Sequence, residues 1–458
     1  MRLKKLVALG LASVMTLSLA ACGGNNNDQA STDSTQEAQA TEDSDGGSDD
    51  SGESKTITFW NIGTEDPDAS IMKYAVDQFN QNTDSGYQVE LTAIQNDKYK
   101  EKLVIAMSSG ECPDMYTSWT GGPLQEYIDS GYAQPITDLY KEAGLNDIYM
   151  DAGTAQSTYG NDIYAVPVLN VAISGVFYNK DMFEKYNLSV PTTIAELEKV
   201  CDTLKENGIT PFALANSTKW QGSMYYQGLA TRYAGLDDLR AAFAGTGSFE
   251  ADCFKYAGEK IQKWVENGYF PEGVNSLSTD DGQDKQLLYQ EKACMFYSGS
   301  WNTGTIKSDS EDFYNKLGWF PFPKCEESSD PDKFANICNG TIGDQFISFS
   351  CKDDKLKAAF ECATNYSTDD AINMMVEAGK IPPVKGVEGK LSDPILLDVC
   401  NFAETASDVQ LWYDQYLPSS VANAHLDSCQ ELFGLTMTPD KACQETQKAM
   451  EEYLADKK

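Results

Sequence analysis

Three tryptophans stand in polar, glycine-containing loops, where an indole can face a bound molecule. Trp119 precedes two glycines, Trp220 lies in the polar run 216–222, and Trp301 follows the sequence Ser-Gly-Ser. Aromatic rings bury a large area at small conformational cost, and their faces attract cations. These loops therefore predict flat platforms for the C–H face of a sugar or for an amine. The other four tryptophans are predicted to pack in strands or in the core: Trp60, Trp264, Trp319 and Trp412.

Polar side chains in other loops could bind the hydroxyl groups of the same molecule. A carboxylate can accept hydrogen bonds from two vicinal hydroxyls, and charge-assisted bonds are about twice as strong as neutral ones. The alternative, that these are solvated loop residues on a very acidic protein, stays open for each of them. The candidates follow predicted strands or lie where the sequence pattern changes: Thr64, Glu65, Asp97, Asn170 and Asp414.

The residue inventory argues against catalysis. The chain has one histidine, His425. Ser-His-Asp and Cys-His mechanisms would depend on that single residue, and histidine-rich zinc sites are ruled out. A glycosidase needs only two carboxylates, and 70 acidic residues leave such a pair possible. We expect a binding protein rather than an enzyme, with no catalytic residues, cofactor or metal.

The N-terminus has the pattern of a cleaved export signal. Three cations among the first five residues precede an uncharged apolar run at 6–20, and the sequence Leu-Ala-Ala-Cys ends at Cys22. The run is too short and wrongly flanked for a membrane-spanning helix. This motif resembles the bacterial lipobox, which implies acylation of Cys22 and anchoring to the outer side of the cell membrane. An ordinary secretory signal followed by a chance cysteine is the alternative.

A polar linker and then a folded body are predicted after Cys22. Residues 23–54 contain nine acids and almost no apolar residue except alanine, so they cannot bury enough surface to offset the entropy of ordering. The net charge of the chain is −35, and residues 55–458 carry 32 basic and 61 acidic side chains, or −29. Such a surface disfavours nucleic acid and anionic lipid. About four hundred residues suggest two or three domains.

The cysteines are predicted to be mostly free thiols. There are twelve, and acylation of Cys22 leaves eleven, an odd number. Exported proteins usually pair their cysteines, but several here lie among apolar residues on predicted helix faces, where cysteine acts as a small hydrophobe. Unpaired thiols would suit a Gram-positive anaerobe. The best disulfide candidate is Cys325 with Cys338.

Alternating strands and helices are predicted to position the loops. Strands at 56–60 and 87–94 alternate with helices around 71–79 and 99–107, and Val104 is expected on the inner side of the second helix. This order predicts a parallel sheet covered by helices on both faces. In such sheets ligands gather beyond the carboxyl ends of the strands, which is where Glu65 and Trp119 stand.

Five segments carry a family resemblance. They are ITFW at 57–60, SGECPD at 109–114, VFYNKDMF at 176–183, MFYSGSW at 295–301 and GKIPP at 379–383. In this order, behind a lipobox, they resemble the extracellular solute-binding proteins of ABC sugar importers, the family that includes maltose-binding protein. The resemblance covers residues 55–458. In that family aromatic residues commonly occupy the places of Trp119, Trp220 and Trp301.

The resemblance implies an α/β fold of the two-lobed periplasmic-binding-protein type. A ligand cleft would lie between the lobes, with three hinge crossovers, and the lobes would close by hinge bending. The expected parts are a signal peptide at 1–21, an acylated cysteine and disordered linker at 22–54, an N-terminal lobe at 55–165 and 340–395, and a C-terminal lobe at 166–339 and 396–458.

The implied function is that of a lipid-anchored, monomeric substrate-binding component of an ABC importer. It would capture a mono- or oligosaccharide and deliver it to the membrane permease. Three alternatives remain open: the same fold binding an amine or peptide, a surface lectin, or a carbohydrate-active enzyme.

Overall fold

A computed structural model describes residues 55–457. The predicted signal peptide, Cys22 and acidic linker lie outside the described residues. The strands are β1 (Lys55–Asn61), β2 (Tyr87–Ala93), β3 (Met115–Ser118), β4 (Thr158–Tyr159), β5 (Asp162–Ile163), β6 (Ala165–Val168), β7 (Val171–Asn179), β8 (Thr210–Phe212), β9 (Ala293–Gly299), β10 (Leu317–Phe320), β11 (Ile337–Ile342), β12 (Gln345–Phe349) and β13 (Asp408–Gln410).

Helices make up most of the remaining structure. They are α1 (Asp68–Asn82), α2 (Asn96–Ser109), α3 (Gly122–Asp129), α4 (Thr137–Glu142), α5 (Leu145–Ile148), α6 (Asp151–Gln156), α7 (Lys180–Lys185), α8 (Ile194–Glu206), α9 (Trp220–Ala234), α10 (Asp237–Phe243), α11 (Asp252–Glu266), α12 (Gln283–Tyr289), α13 (Asn302–Asp309), α14 (Glu311–Tyr314), α15 (Pro331–Ala335), α16 (Asp353–Thr364), α17 (Asp369–Glu377), α18 (Pro394–Thr405), α19 (Tyr413–Tyr416), α20 (Ser419–Phe433) and α21 (Pro439–Asp456).

The first sheet has the strand order β2-β1-β3-β12-β6. Strands β1, β2 and β3 are parallel, as the alternation of strands and helices predicts. β12 runs antiparallel to both β3 and β6, so the sheet is mixed rather than wholly parallel. Ile57 and Phe59 of β1 are fully buried, because alternate side chains of this strand face the helices that cover it.

The second sheet is built around β7. Its path is β13-β11-β7-β9-β8, and β10 also pairs with β7. Eight of the nine residues of β7 are buried, which explains its nearly continuous apolar sequence. Helix α9 packs on α11 and α20 and is buried almost all round, including Arg232.

The chain passes between the two sheets, and one lobe surrounds each of them. It leaves the first sheet after β6 and enters the second at β7, and it returns between β11 and β12. A third passage lies between α17, which packs on α1, and α18, which packs on β10 and β7. The molecule thus has the expected two-lobed α/β architecture with three crossovers.

The core contains free thiols. All eleven cysteines of the described part of the chain are unpaired, and ten of them are buried. Cys325 lies against the hydroxyl of Tyr256 and Cys338 against the carbonyl of Phe402, so the candidate disulfide between these two cysteines is not formed. Within residues 55–457, no helix is both long and apolar enough to span a membrane.

Candidate functional site

A cavity of about 230 Å³ opens between the two lobes. The first lobe lines it with the loop after β1, the start of α2 and the residue after β3. The second lobe lines it with residues that follow β8, β9 and β13. The carboxyl ends of strands from both sheets therefore converge on one cavity, at the edges where open α/β sheets place their ligands.

Three indoles of the second lobe form one wall, which we call the indole wall: Trp220, Trp301 and Trp412. The ring centroids of Trp220 and Trp301 are 5.9 Å apart, and those of Trp301 and Trp412 are 5.2 Å apart in an edge-to-face arrangement of 81°. The Trp412 Nε1–H donates to Ser174 Oγ at 2.8 Å, which fixes that ring. The indole N–H of Trp220 is buried without an acceptor among the described residues.

Gly299, the last residue of β9, makes room for the indole wall. A Cβ atom at this position would lie 1.8 Å from Cζ3 of Trp301, far inside van der Waals contact. Because glycine has no Cβ, the Trp301 ring can lie directly on the end of the strand and meet Trp412. The Ser-Gly-Ser-Trp sequence that predicts an exposed indole also contains the residue that positions it.

The opposite wall belongs to the first lobe. Trp119 packs edge-to-face on Tyr99 with ring centroids 6.0 Å apart, and the ammonium of Lys100 lies 4.8 Å from the centre of the Trp119 ring. Lys100 also pairs with Asp414 of the second lobe at 3.6 Å. This ammonium therefore joins an aromatic ring of one lobe to a carboxylate of the other.

The loop after Trp119 fits closely against the second lobe. Gly121 has a left-handed φ of 77°, and a Cβ on it would lie 2.1 Å from the carbonyl oxygen of Gln415. Glu126 of α3 accepts a hydrogen bond from the backbone N–H of Ser419 at 2.9 Å. These contacts hold the two lobes together beside the cavity.

Carboxylates outnumber cations in the cavity lining. The acids are Glu65, Asp66, Asp68, Asp280, Asp344 and Asp414, and the cations are Lys100 and Lys285. Burial raises the pKa of Asp414, against the opposing effect of Lys100. The pKa of Asp280 is also raised by burial. A group that neutralises or hydrogen-bonds these carboxylates would stabilise their ionised form.

Asp344 and Asp68 line the cavity, and the buried Lys380 lies behind them. Lys380 is fully buried, and its ammonium lies 2.5 Å from Asp68 Oδ1. Burial raises the pKa of Asp344 to about 7, with Lys380 lowering it and Asp68 raising it. One cation thus faces two carboxyl groups, and its close partner is Asp68.

Six of the eight predicted binding residues line this cavity, from both lobes: Thr64, Glu65, Trp119, Trp220, Trp301 and Asp414. Whether they bind a solute stays a prediction. Asp97 lies just outside the lining, where its backbone N–H donates to Asp280 at 3.4 Å. Its pKa is raised to about 6 by burial and by Asp280.

Asn170 does not line the cavity, unlike the six residues above, and its role in binding stays a prediction. It is fully buried, its Nδ2 donates to Ser300 Oγ at 3.4 Å, and its Oδ1 accepts from the Ile381 N–H at 2.6 Å. The amide therefore joins the segment between β6 and β7 to two other parts of the chain. Both the nitrogen and the oxygen of the Asn170 side-chain amide are therefore hydrogen-bonded within the protein.

The burial of Trp412 confirms its predicted place in the core, but sequence reasoning did not place it at the cavity, and it did not single out Asp344. Trp412 is only slightly exposed, as a core residue would be, yet it completes the indole wall. Its position two residues before the predicted binding residue Asp414 could have indicated that it also lines the cavity. Asp344 is an acid between two apolar runs that become β11 and β12, and a charge in such a place can mark a site.

The single histidine lies away from the cavity. His425 is buried, its Nε2 lies 2.8 Å from Ser223 Oγ, and burial lowers its pKa to about 3. It does not line the cavity. Across residues 55–457, no cluster of three or more His, Cys, Asp or Glu residues could hold a metal ion. The arrangement is suited to holding a molecule between aromatic faces and hydrogen-bonding carboxylates.

Comparisons with known proteins agree with this geometry. The profile of the bacterial extracellular solute-binding protein family matches residues 62–372. The chain is 25% identical over 411 residues to the multiple sugar-binding protein of Streptococcus mutans. This match covers 86% of this chain and 85% of that protein. It also matches an uncharacterized ABC transporter extracellular-binding protein of Pyrococcus horikoshii, at 28% identity over 224 residues, and there the match spans only 48% of either protein.

A solved structure is similar over nearly its whole length. It was described in work on xylan utilization by the thermophilic bacterium Caldanaerobius polysaccharolyticus. The TM-score is 0.77 at 28% identity, and the match covers 86% of this chain and 99% of that one.

Proposed function

The chain belongs to the bacterial extracellular solute-binding protein family, and we propose that it is the sugar-binding component of an ABC importer. Its cavity would capture a mono- or oligosaccharide and deliver it to a membrane permease. The observation that carries this proposal is the pairing of an indole wall with hydrogen-bonding carboxylates across one cavity.

A sugar fits both surfaces of this cavity. Its apolar C–H faces can stack on indoles, and its hydroxyl groups can donate to carboxylates. The unpaired Trp220 N–H can donate to a sugar oxygen. The S. mutans relative is named as a sugar-binding protein, and the similar structure comes from work on a polysaccharide, which supports the same class of solute.

Hinge closure would trap the sugar. Trp301 comes from the second lobe and Trp119 from the first, so a solute held by both must lie between the lobes. The ion pair of Lys100 with Asp414 crosses the same gap and would strengthen the closed form. Opening at the permease would then separate the two walls and release the sugar.

Acylation of Cys22 would keep the protein on the extracellular side of the membrane. Two acyl chains anchor stably where one is marginal. The acidic linker would give the folded body reach, and a single copy of the chain contains the whole cavity, so we propose a monomer that docks on its permease.

The proposal is tested by titrating the purified protein with raffinose, stachyose, maltotriose and xylotriose, following tryptophan fluorescence and heat. We expect saturable binding of at least one sugar. Trp301→Ala and Trp119→Ala should lose the fluorescence change while keeping the far-ultraviolet circular dichroism of the folded protein. Equal affinities in both variants and the wild type would refute this placement of the site.

An amine is the second candidate, favoured by the excess of carboxylates over lysines in the lining. Spermidine in the same titration distinguishes the two, because binding of an amine would weaken strongly with added salt. Hydrolysis of any oligosaccharide in the panel would instead indicate an enzyme. Peptide binding is tested with a panel of peptides. A purely adhesive lectin role is tested by deleting the permease genes.

A further inference from the structure

We infer that Asp344 accepts a hydrogen bond from the bound solute, so that loading the cavity releases a proton. This inference rests on the proposed function and adds a binding residue to it. The partner it requires is a hydrogen-bond donor, either a sugar hydroxyl or an ammonium group.

Asp344 is placed by the connection between the two sheets. It follows Gly343, whose φ of 137° favours glycine, and it precedes β12. A Cβ on Gly343 would lie 2.9 Å from both Phe346 and Pro167, so this turn is tightly confined. Asp344 lines the cavity together with the adjacent Gln345. This confined turn thus places Asp344 at the space between the lobes.

The protein itself leaves this carboxyl without a donor. Among residues 55–457, no side chain and no backbone N–H forms a hydrogen bond with the Asp344 carboxyl, and the charged groups that act on it are Lys380 and Asp68. The neighbouring ammonium of Lys380 lies 2.5 Å from Asp68 instead. Asp344 is partly exposed and lines the cavity. Carboxylates withdrawn from bulk water normally have hydrogen-bond partners, so a solute that fills the cavity must supply the donor that water would otherwise supply.

The charged groups facing Asp344 are Lys380 and Asp68, whose effects on it oppose each other. Helix α13, which packs against Lys380 at Gly304, lines the cavity with the uncharged Asn302 and Thr305. Burial dominates, and it raises the pKa of Asp344 to about 7. The carboxyl is therefore partly protonated near neutral pH until a donor stabilises its ionised form.

A definite pH dependence follows. A donor that binds only the ionised carboxylate must compete with the proton, so affinity falls about tenfold per pH unit below the pKa of the empty site. Between pH 8 and pH 5.5 the dissociation constant should rise by about thirty-fold. Asp280 and Asp414 also line the cavity with raised pKa values, so a variant is needed to assign the effect.

The test is calorimetric titration with raffinose, or with whichever sugar of the panel binds most tightly, at pH 8, 7 and 5.5. Two buffers of different ionisation enthalpy at pH 6 give the number of protons released. We expect close to one proton for the wild type and close to none for Asp344→Asn. The variant should bind about tenfold or more weakly than the wild type at pH 8 and nearly as well at pH 5.5.

Asp398→Asn is the matched control. Burial also raises the pKa of Asp398, but this residue lies on α18 and does not line the cavity, so its proton count should equal that of the wild type. Equal proton release by the wild type and Asp344→Asn would overturn the assignment of Asp344 alone. Failure of every sugar and of spermidine to bind the wild type would overturn the proposed function and this inference with it.

Discussion

Replacing Gly299 by alanine should damage the binding site without touching any residue that faces the solute. The added Cβ would lie 1.8 Å from Trp301 Cζ3, whereas carbon atoms in contact are about 3.5–4.0 Å apart. The indole must therefore move by about 2 Å. Trp301 is only partly buried and borders the cavity, so it has room to swing away from the strand.

The magnitude follows from the overpacking that the added methyl group causes. Returning the ring to its original position against that methyl group would cost about 1–3 kcal/mol. The position in which Trp301 pairs with Trp220 and Trp412 then becomes a minority state by about that amount. Since apparent affinity scales with the population of the competent state, the dissociation constant should rise by about 5- to 150-fold.

The assay compares sugar titrations of Gly299→Ala, the wild type and Gly389→Ala. A methyl group added at Gly389 would have no neighbouring atom within 4 Å, and the backbone there is not left-handed, so this variant controls for the substitution itself. Thermal unfolding of each variant separates loss of affinity from loss of stability, because overpacking alone would cost about 1–3 kcal/mol of unfolding free energy. An unchanged affinity and fluorescence response in Gly299→Ala would refute the claim that this glycine positions the indole wall.

Three further predictions concern the core, the thiols and the lobe contact. Arg232→Met should lower the unfolding free energy by about 2 kcal/mol or more in urea titrations, because it leaves two buried carbonyls and one partly buried carbonyl without their guanidinium donor at 2.9 Å. Denatured, unreduced protein should give eleven reactive thiols from residues 55–457, and nine or fewer would reveal a disulfide. Lys100→Gln should weaken sugar binding about two- to fivefold, with less effect in high salt, because its ion pair with Asp414 is partly exposed.

The sequence was most informative about local elements. Periodicity located β1, β2 and the first two helices to within a few residues, and it correctly assigned Trp264 to the core. It failed on Val104, which is 55% exposed although its spacing suggested the inner face of α2. An apolar side chain on a helix is not obliged to be buried, so spacing alone cannot settle its side.

Non-local pairing accounts for the larger errors. A parallel first sheet was expected, yet β12 enters it antiparallel between β3 and β6 from more than 170 residues further along the chain. No local pattern encodes such a register. The hydrogen-bond partners of Asn170 could not be predicted for the same reason, because they come from distant segments, Ser300 and Ile381.

The cavity is lined by residues of both lobes, and some of them were easier to recognise from the sequence than others. Trp119, Trp220 and Trp301 are loop residues whose polar or glycine-containing neighbours show in the sequence, whereas Trp412 gains its role only by meeting Trp301. Asp344 is the hardest residue to recognise from the sequence. Its carboxyl lacks a close cation because the neighbouring Lys380 ammonium lies 2.5 Å from Asp68 instead. The indole wall belongs wholly to the second lobe, while Asp344 stands at the connection between the sheets. Under the proposed function, a solute that contacts both can do so only when the lobes meet. Tight binding and closure would then be one event, and we expect substitutions at either surface to weaken both together.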